Sequence, residues 1–251
     1  MNNQFHHALN RMAFFTALLV AGLILFYRPF LGIASANVVL NGIIIGTILF
    51  GIGLCFVEMF KLLPEYRWAR AYFSGRRNAP LPPRLLRSVA ILLRSRPRRI
   101  YASTLNGMLE MIQLRFDDSR ESVRYITNTL IFLGLLGTFW GLIITVGGFA
   151  DLIGALDFSD ESVLQTMQAG LTGPLAGMAT AFTSSLMGLA GSLIVGFLGL
   201  QVQSAQNSIF RDVEDYLAAH TSTAIPDNER VIAAISGDDV NNESKRNVVK
   251  R

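Results

Sequence analysis

Residues 127–150 read TNTLIFLGLLGTFWGLIITVGGFA, and residues 171–200 read LTGPLAGMATAFTSSLMGLAGSLIVGFLGL. Each stretch exceeds the roughly 20 apolar residues that carry a helix across a bilayer. No Lys or Arg occurs anywhere from Thr127 to Leu200. Both stretches also carry Gly, Ser and Thr at helical spacing, which a purely lipid-facing anchor does not need. On a 3.6-residue wheel Gly134, Gly137, Thr138, Gly141, Thr145 and Gly148 share one side, opposite Leu136, Phe139, Ile143 and Phe149. In the second stretch Gly177, Thr180, Ala181, Ser184, Ser185, Gly188, Gly191 and Ser192 share a broad face. Small residues let helix backbones approach closely inside a membrane, and hydroxyls can bond between helices.

Working outward, the rest of the chain has the composition of a multi-span membrane protein. Of its 251 residues 51% are hydrophobic and 16% charged, and the charges lie outside the apolar runs. Met12–Tyr27 is apolar, Arg28–Pro29 interrupts it, and Phe30–Ala36 continues. A retained first span with Arg28 snorkelling at its far end is expected in preference to a cleaved signal peptide. Asn37–Phe60 is expected as the second span, with Glu58 an interfacial charge beside Lys61.

Between the two hairpins, Lys61–Tyr125 holds 14 Lys or Arg against five Asp or Glu. Helices are expected at Pro64–Phe73, Arg84–Arg94 and Tyr101–Val123, on either side of the break at Pro80, Pro82 and Pro83. The positive-inside rule puts this insert in the cytoplasm and the acidic loop from Asp151 to Gln168 on the other side. The chain's +4 charge therefore speaks of topology and lipid headgroups, not of nucleic acid.

The expected fold is all-α and polytopic, with four transmembrane helices and both termini cytoplasmic. Four segments follow: 1–60, an N-terminal transmembrane hairpin; 61–125, a basic cytoplasmic helical insert; 126–200, a channel-forming hairpin; and 201–251, a helix extension and polar tail.

The residues argue against an enzyme. There is no Gly-x-Ser-x-Gly elbow, P-loop or His-Glu-x-x-His, and Ser184 and Ser185 have no His or Lys in the spans to activate them. His6, His7, His220 and the lone Cys55 form no ligand set, so no metal or cofactor is expected. Ion movement is the sharper reading. Thr138, Thr180, Ser184 and Ser185 can coordinate a cation or hold water, but a relay through a membrane uses Asp, Glu or His. The last two spans have none, so a titrating carboxylate must come from a partner chain.

Gly134-Leu-Leu-Gly-Thr-Phe-Trp-Gly-Leu142 and Gly177-Met-Ala-Thr-Ala-Phe-Thr-Ser-Ser-Leu-Met-Gly-Leu189 resemble the last two spans of the MotA/TolQ/ExbB proton-channel family. The resemblance covers about residues 120–205, and the four-span layout is nearer to the MotA and ZorA-like branches. It implies an inner-membrane stator subunit, a homopentamer around a single-span MotB-, ExbD- or TolR-like partner whose transmembrane Asp carries H⁺ or Na⁺. Thr138 then aligns with the family's pore threonine and Ser185 with the hydroxyl residue of its last span. Thr180 stands where many ExbB and TolQ chains carry Glu, which deepens the dependence on a partner. Thr138, Ser185, Thr180 and Ser184 are the expected ion-path residues, and Gly134, Gly137, Gly141, Gly177 and Gly188 the expected packing residues. A small-solute transporter and a lipid-binding scaffold are the alternatives from the residues themselves.

Overall fold

The computed structural model describes residues 4–28, 32, 37–74, 84–94, 100–156, 163–219 and 221–222. In chain order these form α1 (Gln4–Leu25), α2 (Val38–Phe73), α3 (Arg87–Arg94), α4 (Ala102–Ala155), α5 (Val163–Gly170) and α6 (Thr172–Ala219). The fold is all-α apart from a two-residue parallel ladder, β1 (Ile100–Tyr101) on β2 (Thr221–Ser222). Four helices, α1, α2, α4 and α6, are long and apolar enough to cross a membrane.

The long helices are longer than their apolar runs. At 1.5 Å per residue, α4 with 54 residues and α6 with 48 extend about 81 and 72 Å, against a hydrocarbon core of about 30 Å. The segment boundaries at 60, 125 and 200 accordingly fall inside unbroken helices. Sequence spacing suggested a new helix at Pro64, but α2 runs straight through it. Proline costs an interior helix about 3 kcal/mol. Burial of Leu62, Tyr66, Trp68 and Ala69 on the flanking turns offsets that loss.

Local chemistry sets the helix ends. The Asn37 side chain caps α2 by accepting the Leu40 N–H at 3.1 Å. Pro174 lies in the first turn of α6, where a missing N–H leaves no helical bond unmade. The connection between α4 and α6 is more ordered than the acidic loop read from sequence. Asp151 belongs to α4, and Val163–Gly170 is itself helical. Asp157, Asp160 and Glu161 lie outside the described residues, as do Pro80, Pro82, Pro83, Arg96, Arg98, Arg99 and the tail beyond Ser222.

The most extensive contact is between α4 and α6, with α2 and then α1 packed against α6. Contacts fix the directions. Gly148 meets Pro174 at one end of the α4–α6 seam, and Val123 meets Gly199 towards the other, so these helices are antiparallel. Asn41 meets Ser184 and Gly51 meets Val195, so α2 runs with α6. Phe5 of α1 stacks on Tyr66 at 4.3 Å, and Phe73 of α2 stacks on Tyr216 of α6 at 4.2 Å. The start of α1, the end of α2, the start of α4 and the end of α6 thus gather at one end of the bundle, where the basic insert also lies.

Candidate functional site: the α4–α6 seam

Glycine makes the seam possible. A Cβ added at Gly134 would lie 3.2 Å from the Gly188 Cα and 3.3 Å from the Ser185 carbonyl oxygen. One at Gly141 would strike the Ala181 backbone and come 2.6 Å from the Gly177 carbonyl. One at Gly177 would come 2.6 Å from the Thr145 nitrogen, and one at Gly188 would come 2.6 Å from the Leu130 carbonyl. These obstacles are main-chain atoms on a facing helix, which rotamer changes cannot clear. At Gly137 the intruding groups are the Ser184 side chain and the Leu40 Cδ2. Span 2 therefore reaches the same seam from its own side.

The hydroxyls divide into two groups. Ser184 is fully buried, and its Oγ donates to Asn41 Oδ1 at 2.8 Å. Asn41 is also fully buried. Thr180 is buried and donates to the Ala176 carbonyl at 3.0 Å. Both residues are enclosed between helices of one chain. Thr138 and Ser185 are only partly buried and flank the seam: Thr138 follows Gly137, and the Ser185 carbonyl faces Gly134. The structure therefore does not bring the four hydroxyls to one lining. Thr138 and Ser185 stand at the open edge, and Thr180 and Ser184 lie within the protomer.

Hydrogen bonding sets what Thr138 can offer. Its hydroxyl donates to the Leu135 carbonyl at 2.6 Å. A hydroxyl has one proton and two lone pairs, so a donor spent on its own helix leaves oxygen lone pairs to meet a cation or water. No Asp, Glu, His, Lys or Arg occurs in 127–150 or 171–200. The seam can coordinate or solvate an ion, and it has no group of its own to hold a proton.

Two contributors were not assigned from sequence. Asn41 escapes a sequence reading, because nothing local says that it meets residue 184. Thr145 was placed on the small face, but the structure adds that its Oγ1 lies 2.8 Å from the Gly141 carbonyl and 3.3 Å from that of Pro174. Its hydroxyl therefore bridges the two helices near the far end of the seam.

At the insert end the contacts become ionic. Lys61 Nζ meets Glu58 Oε1 at 2.7 Å, and Ser119 donates to Glu58 Oε2 at 3.0 Å. Arg120 reaches Gln206 at 3.0 Å, Asn207 at 2.6 Å and Asp117 at 3.2 Å. Beyond the apolar zone, the buried Glu65 carboxylate accepts the Leu85 and Leu86 N–H groups at 2.8 and 3.2 Å, holding the start of α3 against α2. Burial pushes the Glu65 carboxyl above its ordinary value of 4.5, outweighing the two N–H bonds and the charge of Arg115.

No protein-family model, curated protein or solved structure matches the chain.

Proposed function

We propose that the chain is the channel-forming subunit of an ion-driven stator in the bacterial inner membrane, with the basic insert and both termini in the cytoplasm. The observation that carries this reading is the α4–α6 seam. Two spans without a titratable group lock together through glycine, and their edge presents hydroxyls instead of a sealed apolar surface. Exposed Phe132, Leu136, Phe139 and Ile143 on α4 and Phe182, Leu186, Leu189 and Leu193 on α6 give the hairpin wide apolar flanks for lipid and for further copies of the chain.

In this reading several copies, five by resemblance to MotA/TolQ/ExbB proteins, surround a single-span partner. The partner supplies an Asp that binds H⁺ or Na⁺. Thr138 and Ser185 solvate the ion while it passes that carboxylate, and the flow drives rotation or force on an envelope component. Glu58 stays an interfacial charge paired with Lys61. The large cytoplasmic extensions of α4 and α6 give the moving part a rigid lever.

Thr138→Val and Ser185→Val test the assignment, since both remove the hydroxyl, the first at constant side-chain size and the second with one added carbon. Assembly should be retained while ion-driven output falls. Unchanged output in both variants removes the ion-path role. A scaffold would instead be silent to both and would fail when Arg94, Arg96, Arg98 and Arg99 are neutralised.

A further inference from the structure

A groove of about 1380 Å³ opens between α4 and α6 on the insert side of Thr138 and Ser185. Its position is set by helical geometry. Steps of seven and eleven residues are close to two and three turns, so Ile131 and Thr127 lie beneath Thr138 on one stripe of α4. Ser192 and Gly196 lie beneath Ser185 on α6 by the same steps. All four of these lower residues line the groove. It is a continuation of the hydroxyl-bearing edge of the seam, not a separate surface.

The lining grades along its length. Ile131, Leu193 and Phe197 are followed by Asn128 and Gln203, and then by Asp117, Arg120, Glu121 and Arg124 at the insert end. Gly196 gives the groove its depth: a Cβ there would find only the Thr127 Cγ2, at 3.8 Å. The Ser192 hydroxyl donates to the Leu189 carbonyl at 2.8 Å, leaving its lone pairs for water or a cation. Arg120 is tied back at the wall by Asp117, Gln206 and Asn207.

We infer that this groove is the hydrated vestibule through which the ion passes between the Thr138–Ser185 level and the insert side of the membrane. Thr127, Asn128, Ser192 and Gln203 are its polar contacts, and Asp117, Glu121 and Arg124 stand at its mouth. The inference rests on the ion-path reading and extends it to residues that the sequence motifs do not reach. An ion leaving a site with no carboxylate of its own must regain water before it crosses the charged boundary. A groove that turns from apolar to amide-lined to charged supplies that transition.

The test is proton uptake into proteoliposomes of phosphatidylethanolamine and phosphatidylglycerol, made with the chain and its copurifying single-span partner and driven by an imposed potential. Gly196→Leu fills the groove, and no backbone stands in the way of its side chain. It should slow uptake about tenfold with unaltered oligomer mass and melting temperature. Asn128→Leu, Gln203→Leu and Glu121→Gln should each reduce uptake by less. Wild-type uptake in Gly196→Leu overturns the vestibule. So does dissociation of the oligomer by Gly196→Leu, which would assign the groove to contact between copies. Thr138→Val, run beside it, separates the two levels. If Thr138→Val lowers uptake and Gly196→Leu does not, the vestibule alone fails; if wild-type protein passes no protons, the ion-path reading fails with it.

Discussion

The upper and lower halves of α6 pack by opposite means. From Gly177 to Ser192 the buried face is Gly177, Thr180, Ser184, Gly188, Gly191 and Ser192, with Met187 its one large member; from Val195 onward Val195, Leu198, Val202, Ala205, Ile209, Val213 and Leu217 predominate, with Gln201, Gln206 and Ser208 among them. Helical periodicity is the same on both sides of the change; below it large apolar side chains predominate where glycine and hydroxyl residues did above. In hydrocarbon, burying a Leu gains little over leaving it in lipid, so association comes from close backbone approach and from hydroxyl and amide bonds. In water, burial of large apolar groups is the main driving force. Under the four-span reading this switch lies towards the insert side of the apolar run that ends at Leu200, and the aromatic stacking of Phe73 on Tyr216 lies at the insert end.

The largest effect should come from breaking the membrane half. Gly141→Leu drives a side chain into the Ala181 backbone and should prevent the α4–α6 hairpin from closing, at a cost of about 3 kcal/mol or more. Loss of the folded species in detergent, read by size exclusion and thermal melting, checks it. In the aqueous half, Leu217→Ala removes a fully buried side chain without touching a backbone contact. It should cost about 2–4 kcal/mol and lower the melting temperature while leaving the membrane hairpin closed. Comparable melting losses from Gly141→Ala and Leu217→Ala, with no difference in hairpin closure, would erase the contrast between the halves.

Glu65 gives a smaller, pH-dependent effect. Its folded pKa is raised above 4.5, so the folded protein binds the proton more readily than the unfolded chain does. Its contribution is fully present below pH 4.5 and is lost as pH rises through the raised value. Protection of the α3 amides from hydrogen exchange should therefore fall as pH rises from 4.5 towards neutrality, and Glu65→Gln should flatten that dependence. The smallest effect is expected from Lys61→Ala. The Lys61 side chain is 61% exposed, and an ion pair of that kind contributes less than about 1 kcal/mol. A melting-temperature change larger than that of Leu217→Ala would contradict the ranking.

The four spans were legible because their signal is local: length, apolar content and the absence of charge are read one segment at a time. The small-residue faces were legible for a similar reason, since 3.6-residue spacing places Gly134, Gly137 and Gly141 together before any neighbour is known. What the faces meet was not local. Ser184 and Ser185 are adjacent and chemically identical, yet one is enclosed against Asn41 and the other stands at the seam's edge. A wheel with a broad small face assigns both to it, and only the position of α2 separates them. Pro64 misled in the opposite sense, because a local breaker rule was overridden by burial on the turns around it. Glu65 was invisible as a cap because its partners lie 20 and 21 residues further along the chain.

The central claim is that copies of this glycine-closed hairpin form a ring around a partner that brings the carboxylate. Native mass spectrometry of the chain, co-expressed with a single-span protein encoded beside it, tests this most directly. The account predicts several copies of this chain, five by the resemblance, held with two of the partner, and loss of that complex in Gly141→Leu. A monomer or dimer that retains no partner would contradict it and leave the seam as packing within one hairpin.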